Sequence, residues 1–150
     1  MNIMNKQNLR KCLSLFATGV TSIVSFKKLT YTGITVNSFS SVSLNPPLVM
    51  WCINKKSSSL KSFLSLKNNY KIIFLANSQK AISNKLAGSD NIFDKVFCDK
   101  IVKKSLGYLD CAIFKKYDAG DHYIIVHRVL KFKIFSKKKP LIFFDGKYKN

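Results

Sequence analysis

The sequence contains no glutamate; its seven acidic residues are all aspartates. Of its 26 basic residues only Arg10 and Arg128 are arginines. Readers of nucleic-acid sequence use arginine for bidentate base contacts, whereas lysine acts as a point charge, so this composition weighs against a base-reading protein. The four cysteines, Cys12, Cys52, Cys98 and Cys111, include no Cys-x-x-Cys pair. Cys98, Cys111, His122 and His127 thus lack the short pair of a zinc knuckle, and no metal is expected. Cys12, Cys52 and Cys111 are expected to be buried, reduced thiols of a cytoplasmic protein. The longest apolar runs, such as Leu48 to Ile53 and Ile72 to Ala76, are too short to span a bilayer. No apolar segment follows Met-Asn-Ile-Met-Asn-Lys, so no secretory signal is expected.

What is present is a chain of 150 residues, 47% hydrophobic, carrying a net charge of +19. That length predicts a single domain, 1–150, with a substantial core. The lysines are scattered in small clusters, such as Lys27-Lys28, Lys55-Lys56 and Lys137 to Lys139. Most of the charge therefore reads as solvated surface, with the remainder available to attract phosphorylated ligands or an acidic partner. No internal repeat or linker is visible.

Along the chain, Leu9, Cys12, Leu13 and Phe16 mark one face of a helix from Lys6 to Ala17, closed by Gly19 in a left-handed position. Val20 to Phe26, Leu48 to Asn54 and Tyr70 to Ala76 read as strands. Ser57, Ser58 and Ser59 offer N-cap side chains to a helix carrying Leu60, Phe63, Leu64 and Leu66. Ser78 to Ala87 reads as a short helix closed by Gly88, and Ser89 to Lys104 as a loop with one helical turn. Tyr108 to Tyr117 and His122 to Phe135 read as strands joined by a turn at Asp118 to Asp121. Pro140 to Phe144 is the last strand, ending in the tight turn Asp145-Gly146. About six strands with two or three short helices predict a mainly β fold, a barrel with helical additions.

The stretch Gly33 to Asn54 is the most informative. Gly33 to Phe39 is too polar for an ordinary core strand, while Leu48 to Ile53 is apolar and β-prone. Asn45-Pro46-Pro47 makes a rigid corner between them, because each proline lacks an N–H and fixes φ. Small hydroxyl and amide side chains here leave backbone N–H groups open to a flat polar ligand. A polar edge strand followed by a loop fits the same residues.

The string Thr35 to Leu48, T-V-N-S-F-S-S-V-S-L-N-P-P-L, resembles the T-x-N-S-F-x-S-V-S-L-D-P-P-L signature of the flavin reductase-like family. F-A-T-G-V (Phe16 to Val20), G-D-H (Gly120 to His122) and P-L-I-F-F-D-G-K-Y (Pro140 to Tyr148) fit the family in order, so the likeness covers nearly the whole chain. It implies an FMN-binding split β-barrel, dimeric in the family. It further implies an NAD(P)H-dependent reductase of FMN or FAD that supplies a partner monooxygenase. On this resemblance Thr35, Val36, Asn37 and Ser38 line the flavin, Ser41 and Val42 follow on the same segment, and Cys52 and Ile53 add an apolar wall. Ser58 at a helix start and Lys85, with Ala87 beside it, are candidates for the phosphate. His122 matches the histidine beside the nicotinamide. It would place NADH or NADPH for a hydride transfer that needs no protein nucleophile or base. Where the family continues with G-E-V, this chain has His127-Arg128-Val129. Two rival readings remain: a non-enzymatic flavin-binding electron carrier on the same fold, and a basic nucleic-acid-binding β-barrel. The latter needs a stacking face, but Phe26, Phe74, Phe114 and Phe143 lie in apolar runs, where core packing is expected.

Overall fold

The computed structural model describes residues 4–88, 91–135 and 137–149. Helix α1 (Lys6–Leu13) is capped by Asn5, whose side chain accepts from the Gln7 N–H. It stops four residues short of the expected end, and Thr18–Gly19 forms a short strand, β1. Gly19 is not among the residues at positive φ, so the left-handed helix end expected there does not form. No residue of α1 is buried: Cys12, Leu13 and Phe16 are exposed. The helix was legible from its apolar stripe, but that stripe has no cover among the described residues.

Strands β2 (Thr21–Lys27) and β3 (Thr30–Val36) form a hairpin through Lys28, which holds φ 55°. Strands β4 (Ser40–Leu44) and β5 (Pro47–Asn54) turn at Asn45-Pro46, as the two prolines dictate. Then come α2 (Leu60–Leu64), β6 (Asn69–Phe74), a 3-10 turn (Asn77–Gln79) and α3 (Lys80–Leu86). The segment read as loop instead holds β7 (Ile92–Phe93) and a ten-residue helix, α4 (Lys95–Lys104). Asp94 caps α4 by accepting from the Phe97 N–H, and Cys98 and Ile101 are its buried face. Long strands β8 (Gly107–Ala119) and β9 (His122–Ile134), then β10 (Ile142–Phe144) and β11 (Lys147–Lys149), complete the chain.

Eight strands pair in the order β4-β5-β9-β8-β6-β2-β3-β7, and β1-β10-β11 form a small second sheet. The middle of the large sheet is buried on both faces. Ile23 and Ile72 point into one core with Trp51, Ile53, Phe63, Tyr70 and Ile125. Their neighbours Val24 and Ile73 point into the other, under α3 and α4, with Leu86, Cys98, Ile101 and Leu141. The adjacent apolar pairs Ile23-Val24 and Ile72-Ile73 thus serve the two cores, one residue each. A Cβ at Gly33 would lie 2.8 Å from Cε1 of Phe93, so a larger residue there would push that ring aside. Cys111 and Cys98 are buried and burial pushes their thiols up to about 12 and about 11, whereas Cys52 is half-buried and Cys12 exposed. Phe26, Phe74 and Phe143 pack against the cores as expected; Phe114 is exposed beneath the Arg128 guanidinium, 5.1 Å from its ring centre.

His127 is fully buried between Trp51 and Tyr70, at ring-centre distances of 6.2 and 4.8 Å. Neither of its ring nitrogens has a hydrogen-bond partner among the described residues. Burial without a partner penalises the charged form and pushes its pKa down to about 4. The unfolded chain takes up this proton near pH 6.5, whereas the folded one does so only near 4, so stability falls with pH through that window. This histidine alone is expected to make the protein about 2 kcal/mol less stable at pH 5 than at pH 7. His127→Phe should remove that slope in denaturant melts at the two pH values. An unchanged slope would mean that the folded protein protonates this ring readily.

Candidate functional site

The site grows from the end of β3. Its ladder with β2 runs to Val36, paired with Thr21, whose hydroxyl donates to the Val36 carbonyl at 3.2 Å. On its other edge β7 covers only Tyr31 and Thr32, and the Gly33 N–H donates to the Asn91 carbonyl at 3.0 Å. Strand geometry points the Thr35 backbone groups to the same side, and they have no backbone partner there among the described residues. Side chains alternate across the strand. Thr35 donates its hydroxyl to the Ser83 carbonyl of α3 at 2.8 Å, while Ile34 and Val36 face the barrel core.

Past β3 the chain crosses to β5 and closes the curl of the sheet. The Cys52 N–H donates to Ser38 Oγ at 3.0 Å, and that hydroxyl donates to the Cys52 carbonyl at 3.4 Å. Ser38 is therefore a seam between two strands that do not otherwise pair. Burial pushes the Cys52 thiol up, and the hydrogen bond to Ser38 partly opposes this.

His122 opens β9 directly opposite Asn54 of β5. Its Nδ1 lies 2.6 Å from Asp121 Oδ1, and its side chain is 40% exposed. The hydrogen bond with His122 holds the Asp121 carboxyl below its usual range.

These elements enclose a cleft of about 270 Å³. Thr35, Val36, Asn37, Ser38, Cys52, Ile53 and His122 all line it, together with Ile34, Asn54 and Ser57. A second cleft of about 250 Å³ shares Thr35, Val36 and Asn37 and is walled by Val20, Ala87, Phe143 and Tyr148. A third, of about 400 Å³ and mainly apolar, also reaches Asn37 and runs past Phe16, Phe39, Phe74 and Leu141. Asn37, itself exposed, stands where the three meet.

Four residues of the sequence reading stand apart from these clefts. Ser41 and Val42 are exposed on β4, which folds back along β5 so that Ser41 pairs with Val49, about 10 Å up the strand from Cys52. Ser58 is exposed; the residue before α2 is Ser59, which makes no side-chain cap, and it is Ser57 that reaches the cleft. Lys85 holds its ammonium 4.2 Å from the centre of the Phe97 ring on α4. His127 and Arg128 line none of the three clefts, so the departure from G-E-V falls in the core and on the surface. Sequence reasoning missed Ile34, Asn54 and Tyr148 as lining residues. Asn54 was findable once β5 and β9 were paired in register, and Tyr148 closes the terminal segment already singled out.

A curled β-sheet closed at a polar seam, with the end of β3 and His122 lining one cleft, is the split barrel that the sequence resemblance implied. Residues 13–150 match the flavin reductase like domain, and the chain belongs to that family. It is 33% identical to the FMN reductase (NADH) SmoA of Agrobacterium fabrum, over 96% of this chain and 85% of that protein. It is 29% identical to the reductase subunit HsaB of a flavin-dependent monooxygenase of Mycobacterium tuberculosis, over 97% and 82%. The crystal structure of BorF, the flavin reductase component of a bacterial two-component tryptophan halogenase, superposes with a TM-score of 0.86 at 28% identity, covering 97% of both chains.

Because the Ser38 hydroxyl bonds backbone groups of β5, Ser38→Ala is expected to cost about 1 kcal/mol per lost hydrogen bond. Asn37→Ala, at an exposed side chain, is expected to stay within about 0.5 kcal/mol of wild type. Equal losses in denaturant titrations would contradict this division of roles.

Proposed function

We infer that this chain is an NAD(P)H:flavin oxidoreductase that supplies reduced flavin to a partner flavin-dependent monooxygenase. The observation that carries the reading is the cleft itself: an open backbone edge at Thr35, polar side chains at Asn37, Asn54 and Ser57, an apolar wall at Ile34 and Ile53, and His122 at the rim. This donor set fits a flat heterocycle with polar edges, and backbone groups aimed at it favour the charge that develops on reduction. Flavin held there would supply the acceptor for a hydride from nicotinamide, while this chain's residues would bind and orient the two. Thr35, Val36, Asn37 and Ser38 would hold the ring and ribityl chain, Cys52 and Ile53 would pack on it, and Ser57 and Ala87 would meet the phosphate end. His122 would hold the nicotinamide carboxamide, its ring oriented by Asp121.

FMN with NADH is the pair we propose, in keeping with the name of the Agrobacterium relative; FAD and NADPH are the variants to be compared. The whole chain acts as one domain of a cytoplasmic homodimer. Exposed Leu9 and Leu13 on α1, Phe16 just after it, and exposed Leu130, Phe132 and Ile134 on β9 supply apolar surface for a second copy. No helix among the described residues is long and apolar enough to cross a membrane.

Anaerobic mixing of the protein with FMN and NADH is expected to bleach the flavin absorbance. His122→Ala should leave FMN affinity nearly unchanged and slow the bleaching by up to about a hundredfold, the cost of misplacing a reacting group by about 1 Å. Tight FMN binding without reduction by NADH or NADPH would favour the electron-carrier reading instead.

A further inference from the structure

The C-terminal hairpin lies far from the open strand edge in sequence, yet three side chains connect them. The Tyr148 hydroxyl and Ser83 Oγ are 2.7 Å apart, and the carbonyl of the same Ser83 receives the Thr35 hydroxyl at 2.8 Å. Ser83 is fully buried in the middle of α3. The Tyr148 ring is fixed in turn by edge-to-face packing on Phe143, with centres 5.6 Å apart. Tyr148 also walls the second cleft, opposite Thr35, Val36 and Asn37.

Thr35 lies one residue from the end of β3, where a side chain held from outside the sheet fixes the twist of the strand. Here α3 grips its side chain, and the second sheet grips α3 through one hydroxyl pair. We propose that Tyr148 is a positioning residue for flavin: acting through Ser83, it holds Thr35 so that the open edge of β3 keeps the orientation the ligand needs. The proposal rests on the reductase reading. It assigns to the terminal hairpin a role in the cleft beyond packing.

Tyr148→Phe keeps the ring and removes only the hydroxyl. Ser83→Ala removes the same link while leaving the carbonyl for Thr35. Each is expected to raise the FMN dissociation constant about five- to tenfold, as for one lost buried hydrogen bond, while the KM for NADH changes by less than about twofold. Thr35→Val should weaken FMN at least as much, Thr35→Ser should restore wild-type affinity, and Tyr148→Phe added to Thr35→Val should weaken it no further. A merely structural tyrosine would instead lower the melting temperature and give a loss additive with Thr35→Val. Additive losses, or wild-type affinity in both Tyr148→Phe and Ser83→Ala, overturn the proposal while the reductase reading stands. If wild type itself binds no FMN, both fall together.

Discussion

The structure depends on a strand that outruns its partners. β3 pairs with β2 to its last residue, but on its outer edge β7 covers only its start. Among the described residues the Thr35 backbone has no partner on that edge, and such groups on a flat edge strand would be open to association with another chain. Here Ser38 carries the chain across to Cys52 immediately afterwards, so the open edge lies inside a cleft instead of on a flat surface. One serine hydroxyl thereby closes the barrel and frames the site.

The layering around that seam explains why the site can be polar without weakening the fold. β2 and β6 are buried on both faces, with one core inside the barrel and a second under α3 and α4. Large side chains such as Trp51, Tyr70 and Phe63 are fully buried, each contributing about 2–3 kcal/mol or more by apolar burial. That margin leaves β3 free to carry Thr, Asn and Ser at its end. The core has its own cost: His127 sits among aromatic rings with no partner for either nitrogen among the described residues and stays neutral at physiological pH.

Much of this was legible in the sequence. The apolar, β-prone run Leu48 to Ile53 marked β5, and the two prolines marked the corner before it. The motif of Thr35 to Ser38 and the turn before His122 named the residues that meet in one cleft. What stayed hidden depends on long-range geometry. Nothing local says that the Ser38 hydroxyl bonds β5, or that Asn54 faces His122, because both follow from strand register. α4 was missed although Asp94 and the spacing of Phe97, Cys98 and Ile101 announce it, since Ile92-Phe93 beside it pairs as strand and blurs the period. α1 shows the converse: its apolar stripe predicts a helix, but not that the stripe is left uncovered.

The central claim is that flavin lies along the open edge of β3 and against the Ser38–Cys52 seam. Backbone amide NMR during titration with FMN tests it most directly. The account predicts shifts concentrated at Thr35, Asn37, Ser38, Cys52, Asn54 and Ser57, with Leu130 to Ile134 unmoved. Shifts centred instead on Phe16, Leu106 and Leu141, with Thr35 and Cys52 unaffected, would place the ligand in the apolar chamber and contradict it.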